Sequence, residues 1–349
     1  MVKVLSLFSG SLASRVATRL VERHPSVEEV YLLHFRSPFA REFAEMREFV
    51  REEWPGVSFR TQSLKREYRL LIGLSGDSFS LTRSCINCRT VLLARAVRYM
   101  ERVGADLIVT GEIAGEHGLW GATLARIAKS VELEGKILRP LCSPGLKLDV
   151  DDLLEWADPI GGARLSHEAL QGLAGELGMD PDDPLGSLAR CKLTTPGFGD
   201  RVADLFCDTG FTLNALRLLD LRLYYEISPD IRMVVALDGR EKRLLQDLFL
   251  PQDLRVYPAT PHGPMTLVRT DWDNKSDFAR DRIIKLACRI TATHASGTPG
   301  VPVPVYYRFE SEDEKWLINV LPFDSPADVS SLATVKVVPL ETRGASALK

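Results

Sequence analysis

Cys85 and Cys88 lie three residues apart in Arg83-Ser84-Cys85-Ile86-Asn87-Cys88-Arg89. Two thiols at that spacing can share one metal, one iron–sulfur cluster or one disulfide. The flanking arginines, and the helical pattern that follows through Val91, Leu92, Ala94, Val97 and Met100, predict a helix start whose positive end favours thiolate. A thioredoxin reading is poor, because the motif does not follow the first strand of the chain. A second stretch, Ser9-Gly10-Ser11 with Ser14, offers hydroxyls and the backbone N–H groups of a helix start, which suit an anion such as phosphate. An ordinary turn with no ligand stays open beside that reading. Cys142, Cys207 and Cys288 sit among apolar residues and read as core thiols, with Cys142 a reserve ligand.

Elements of recognisable period must position these residues. Val4, Leu5, Leu7 and Phe8 form a short apolar run that reads as a buried strand, and Leu12, Val16 and Leu20 recur at helical spacing after the Ser-Gly-Ser turn. A strand over Val30–Phe35, a helix through Ala44, Met46, Phe49 and Val50, a strand at Val57-Ser58-Phe59 and another at Leu107-Ile108-Val109 continue the alternation. Such alternation predicts right-handed βαβ units around a parallel sheet. Ligands of such a sheet sit beyond the carboxyl ends of its strands. His34 and Phe35 fall there and could flank an adenine, although plain packing accounts for each singly. From Leu219 the texture changes to short strands (Leu221–Tyr225, Met233–Ala236, Leu254–Tyr257, Met265–Val268) with helices at Lys242–Phe249 and Phe278–Ile290.

The chain has 349 residues, enough for two or three domains, with 45% hydrophobic and 26% charged residues. A formal net charge of −3 excludes a protein coated in basic surface but leaves room for a local basic patch. No apolar run approaches the ~20 residues of a membrane span. The chain starts directly with a strand, and six cysteines in this length are no secreted disulfide framework. A reducing cytoplasm is the expected compartment, with no membrane association.

Ser9 to Ser14 resembles the Ser-Gly-Gly-x-Asp-Ser loop of the PP-loop ATP pyrophosphatase superfamily. Ser9, Gly10 and Ser14 match, Ser11 stands at the second Gly, and Ala13 at the Asp. The likeness extends in order through Cys-Ile-x-Cys, Gly104-Ala105-Asp106, Thr110-Gly111-Glu112-x-x-Gly115, Leu138-Arg139-Pro140-Leu141 and Cys191-Lys192-Leu193-Thr194. That order is similar to the tRNA-thiolating 2-thiouridine and 4-thiouridine synthases. Leu237-Asp238-Gly239-Arg240-Glu241 with Leu244-Leu245 resembles an element of the small domain related to the NFACT RNA-binding domain. The segment Gly115–Trp120 departs from the family pattern, as does Ala189-Arg190 before Cys191.

The resemblance implies an open parallel, Rossmann-like (adenine nucleotide alpha hydrolase-like) α/β sheet in residues 1–180, a cysteine-bearing linker over 181–218, a small α+β RNA-binding-like domain over 219–323, and a tail over 324–349. It implies ATP held by Ser9, Gly10, Ser11, Ser14, His34, Thr110, Gly111 and Glu112, with Mg²⁺ in question because Ala13 lacks a carboxylate. Cys85, Cys88 and Cys191 would be the catalytic and metal-binding set, holding a 4Fe-4S cluster with one iron open, zinc being the alternative. The implied reaction is ATP-dependent adenylylation of a tRNA base followed by sulfur insertion. A persulfide or sulfur donor protein, tRNA and a second copy of the chain are the expected partners. The rival reading is a fold-retaining protein that does not adenylylate and acts as an iron–sulfur or tRNA-binding module or an ATP-independent sulfur handler. Arg240, Arg243, Arg255 and Arg269 are the residues that would meet RNA phosphate.

Overall fold

In β1 (Val2–Leu7) successive side chains face opposite sides of a sheet, and both Val4 and Leu5 are fully buried. Only a strand covered on both faces permits that, which is the condition of a parallel α/β sheet. The computed structural model describes residues 1–40, 44–144, 150–157, 164–181, 191–207, 211–295 and 300–332. Contacts divide the chain into two compact units, Met1–Asp204 and Leu205–Lys349. The sequence places boundaries after 180, 218 and 323; the contacts place one, and Cys191 falls in the first unit.

The first unit alternates β1, α1 (Leu12–Glu22), β2 (Val27–Arg36), α2 (Ala44–Glu53) and β3 (Ser58–Ser63). A two-stranded hairpin of β4 (Leu74–Ser75) and β5 (Ser78–Phe79) leads into the long α3 (Leu81–Val103). Then come β6 (Leu107–Val109), α4 (Gly121–Ser130), β7 (Ile137–Leu138), α5 (His167–Glu176) and α6 (Phe198–Cys207), which runs across the division between the units. The five-stranded sheet has the order β3-β2-β1-β6-β7, and every pairing is parallel. This is the Rossmann-like α/β architecture that the strand–helix alternation predicts.

Val4, Phe8, Leu32, Val109 and Leu138 share one core with Leu12, Val16 and Leu20 of α1, Met46 and Val50 of α2, and Leu170 and Leu173 of α5. Each such side chain contributes roughly 1.5–3 kcal/mol when fully buried. Leu5, Leu33 and Ile108 alternate to the opposite face and are equally buried. The strand order turns back at β1: one half proceeds outward through β2 and β3, the other through β6 and β7. Connections leave a crevice at such a point, at the carboxyl ends of β1 and β6. The Ser9–Ser14 turn follows β1 at that edge.

The second unit is built on an antiparallel sheet. Its elements are α7 (Leu213–Leu218), β8 (Leu223–Ser228), β9 (Ile231–Ala236), α8 (Gly239–Gln246), β10 (Leu254–Pro258), β11 (Met265–Arg269), α9 (Asp277–His294), β12 (Val303–Phe309), β13 (Trp316–Val320) and α10 (Pro326–Ser330). The sheet order is β13-β12-β10-β11-β9-β8. Ile283, Ala287 and Ile290 of α9 pack with Val256, Val268 and Val305 of the strands. The sequence reading finds β8 to β11 but not β12 and β13. Pro304 interrupts the run Val-Pro-Val-Tyr-Tyr-Arg-Phe and cannot donate to a ladder, yet its carbonyl accepts from Ala259 N–H at 2.9 Å. The tail is helical at first, with Val329 fully buried; from 333 onward it lies outside the described residues. Among the described residues no helix is long and apolar enough to cross a membrane.

Gly111, directly after β6, shows how closely the two halves meet at the crevice. A Cβ there would stand 2.5 Å from both the N and the Cα of Ser14. Gly111→Ala is therefore expected to destabilise the protein by about 1–3 kcal/mol, the usual overpacking cost. Gly172→Ala, inside α5 where a Cβ meets nothing within 4 Å, is expected to stabilise by about 0.5–1 kcal/mol. Urea midpoints of the two variants check both; equal midpoints would remove the close-approach argument.

Candidate functional site

The turn after β1 is shaped by its own small side chains. Gly10 takes φ +84°, a left-handed conformation open to glycine at little cost. Ser9 Oγ accepts from Ser11 N–H at 3.3 Å and lies 3.0 Å from Ser11 Oγ. Ser11 caps α1, its hydroxyl accepting from Ser14 N–H at 3.3 Å, while Ser14 Oγ–H donates to the Ser11 carbonyl at 3.0 Å. The first turn of α1 carries no acidic residue, so no side chain of that turn offsets the positive end of its dipole.

Facing this turn, Glu112 is buried between two guanidiniums. Arg89 Nε of α3 donates to its Oε1 at 2.8 Å, and Arg139 Nε, just after β7, donates to its Oε2 at 2.7 Å. Thr110 Oγ1–H also donates to Oε2, at 3.0 Å. Burial, the largest single influence, pushes the carboxyl upward, but Arg139, Arg89 and these hydrogen bonds together hold it below the usual carboxylate range. The Glu112 carbonyl accepts from the Cys142 thiol at 3.1 Å. Cys142 is thus a buried core thiol, as is Cys288; the side chain of Cys207 lies outside the described residues.

Cys85 and Cys88 do not open their helix. α3 begins at Leu81, with the Ser80 hydroxyl accepting from Arg83 N–H at 3.3 Å, so both cysteines lie beyond the first turn, where the dipole has little effect. The expectation of dipole-favoured thiolates is corrected accordingly. Burial pushes Cys88 up to about 12, with Cys191 and Cys85 adding to the rise and Arg89 opposing it. Burial likewise raises Cys85 against the pull of Arg89.

Cys191 is exposed. It lies within electrostatic reach of both other thiols, and the next residue is tied down where Lys192 N–H donates to the Phe39 carbonyl, in the loop after β2, at 2.7 Å. Thiols are the donors that zinc or an iron–sulfur cluster takes. Yet among the described residues no three His, Cys, Asp or Glu side chains stand together as a metal-holding group. No step below passes through a cluster.

A cavity of about 460 Å³ occupies the crevice between the ends of β1 and β6. Ser9, Ser11, Ala13 and Ser14 form one wall, Thr110, Gly111 and Glu112 another, and Cys88 and Arg89 a third. Leu92, Leu93, Ile113 and Leu170 add apolar surface, and Glu116, Arg164, Ser166 and His167 complete the lining. The volume and the mixed lining fall within the range of small-molecule sites. Of the residues expected from the sequence, Gly10 shapes the turn without lining the cavity. His34 is not on the wall either: it is buried, and its Nδ1 lies 2.9 Å from the Phe8 carbonyl. Burial lowers its pKa, so that Nδ1 carries the proton of a neutral ring and donates.

Arg89, Glu116, Arg164, Ser166 and His167 are wall residues that sequence reasoning did not select. Ser166 does carry a local signal, a helix-capping serine whose hydroxyl accepts from Ala169 N–H at 3.1 Å; Arg89 appears in the sequence only as a flank of the cysteine pair. In the second unit, Arg255 pairs with Glu310 through both Nε and Nη2, at 2.8 and 2.9 Å, and Arg269 clamps the buried Asp253. Of the four arginines expected to meet RNA, Arg240 and Arg243 of α8 are the exposed ones.

No protein-family model matches this chain, and neither does any curated protein sequence. Solved structures do. The U34-tRNA thiolase NcsA from Methanococcus maripaludis with its 4Fe-4S cluster is 15% identical, over 58% of this chain and 65% of that one, at a TM-score of 0.29. A predicted subunit of tRNA methyltransferase from Methanocaldococcus jannaschii is 11% identical over 52% and 91%, at 0.29. The NMN synthetase from Francisella tularensis is 13% identical over 60% and 88%, at 0.26. Scores this low carry no weight beside the geometry of the chain itself.

Glu112 makes the site sensitive to acid. Its folded pKa lies below its unfolded value, so its ion pairs stabilise the fold fully above the unfolded value of about 4.3. That contribution is lost as pH falls through the depressed folded value. Glu112→Gln is expected to lower stability at pH 7 by about 3–5 kcal/mol, the usual loss on breaking a buried pair. The gap from the natural protein should narrow as pH falls through the depressed folded value. Denaturant titrations at several pH values measure this, and a gap independent of pH would show that Glu112 is not held as a carboxylate.

Proposed function

We propose that the first unit binds ATP in the crevice between β1 and β6 and uses it to activate a nucleobase oxygen of tRNA for replacement by sulfur. The observation that carries the reading is the shared cavity, lined by the Ser9–Ser14 turn, Thr110-Gly111-Glu112 and Cys88 together. The N-terminus of α1 and the serine hydroxyls suit phosphate oxygens, and the leucines and Ile113 suit the face of a base. Adenylylation would turn the base oxygen into a leaving group. The terminal sulfur of a cysteine persulfide, loaded by a donor protein, would then attack the activated carbon and AMP would depart with the oxygen. A second cysteine of the trio would attack the carrier sulfur, closing a disulfide and leaving sulfur on the base. Cys85 and Cys88, one helical turn apart on α3, suit those paired roles.

A second reading is favoured by one specific observation. The first turn of α1 has no acid, and Ser11 and Ala13 occupy the positions where the resembled loop has Gly and Asp. A loop so altered suits a protein that binds nucleotide or tRNA without adenylylating.

Pyrophosphate release from ATP, with and without total tRNA, separates the two readings. Release that depends on tRNA is the expected outcome. Nucleotide binding without release under any tRNA condition would favour the second. Ser11→Gly with Ala13→Asp is expected to tighten Mg·ATP binding by about tenfold or more, roughly 1.4 kcal/mol. Calorimetry that finds no gain would show that the loop's departures do not limit binding.

A further inference from the structure

Both carboxylate oxygens of Glu112 are engaged from within the protein, Oε1 by Arg89 and Oε2 by Arg139 and Thr110. The side chain is only 8% exposed, so a ligand in the cavity meets a carboxylate whose acceptor capacity is already turned toward its own guanidiniums. Arg89 stands differently. Its side chain is 21% exposed, it lines the cavity, and it donates to Glu112 through Nε. The bond to Glu112 uses one of its five N–H donors, and the guanidinium also meets the Cys85 thiol. Planar guanidinium groups so fixed bind phosphate oxygens with little loss of side-chain freedom.

We infer that Arg89 is the anion anchor of the cavity, gripping the pyrophosphate portion of a nucleotide, and that Glu112 is its positioning residue rather than a ligand contact. The inference deepens the nucleotide reading above and names the group on the ligand that is held. The Ser9–Ser14 turn lines the same cavity as Arg89, so an anion bound there can meet both the α1 N-terminus and the guanidinium. Glu116 and Arg164, of opposite charge, also line the cavity, and Glu116 lies within electrostatic reach of Arg89. An arginine at position 89 thus does what a lysine there cannot, since a single ammonium has no second edge with which to keep Glu112 while reaching a ligand.

The test uses the full chain and three probes: inorganic pyrophosphate, ATP and adenosine, with binding followed by calorimetry. Arg89→Ala is expected to weaken pyrophosphate and ATP at least tenfold while leaving adenosine unchanged, with Arg89→Lys recovering only part of the loss. Glu112→Gln is expected to weaken pyrophosphate in the same direction, but to have no further effect on it in the Arg89→Ala background. A merely structural role for Glu112 would predict additive losses across all three probes. Where Glu112→Gln does not fold, Arg89→Ala and Arg89→Lys still decide whether Arg89 is the anchor.

Unchanged pyrophosphate affinity in Arg89→Ala, or no pyrophosphate binding by the natural protein, overturns the inference whatever ATP does. Additive losses overturn the positioning role of Glu112. Pyrophosphate binding that depends on Arg89, with adenosine and ATP ignored beyond their phosphates, upholds the anchor and removes the nucleotide reading instead.

Discussion

A carboxylate taken out of water is stable only where opposite charge and hydrogen bonds replace the lost hydration, and in the first unit that requirement fixes the geometry of the crevice. Glu112 follows β6, Arg139 follows β7 and Arg89 lies in α3, so one carboxylate joins three separate parts of the chain at 2.7–2.8 Å. Thr110 and the thiol of Cys142 bind the same residue. If any member moved, a buried charge would be left uncompensated. The carboxyl edge of the sheet is therefore held rigid at the place where the strand order turns back.

Rigidity there has a consequence for chemistry. The small-residue turn after β1 approaches the loop after β6 so closely that position 111 admits no side chain. What remains between them is a cavity with hydroxyls and a helix start on one wall and a positioned guanidinium on another. Cys88 shares that wall, but its burial keeps the sulfur protonated in the form described. Binding of an anion and reactivity of the thiols are thus governed by different forces: the first by charge already in place, the second by how far the thiols are relieved of desolvation.

The second unit gives its charges different work. Arg269 holds the buried Asp253, and Arg255 holds Glu310 while stacking over Phe249. These arginines join strands and loops of the antiparallel sheet, so their charge is largely engaged within the fold. On α8, by contrast, Arg240 and Arg243 are exposed.

Much of this was legible in the residues alone because it depends on near neighbours. The β1–turn–α1 corner follows from an apolar run, three small residues and leucine–valine spacing at helical period, all within twenty positions. The four strands β8 to β11 and the helices between them follow from periodicity in the same way, while β12 escaped because Pro304 argues locally against a strand and only its place in the ladder overrules it. The start of α3 lies before the cysteines, because the serine that caps the helix is Ser80, although Arg83 and Cys85 suggest a terminus locally. Tertiary structure decided the rest. Glu112 reads from the sequence as a residue of the nucleotide pocket, and only the fold shows that Arg89 and Arg139, 23 and 27 positions away in sequence, meet its oxygens. Arg89 reads as a flank of the cysteine pair until the strand order brings it to the crevice. The thiols read as activated until burial is known. Period and turn chemistry are properties of a few adjacent residues, but desolvation and ion pairing depend on what the folded chain brings alongside them.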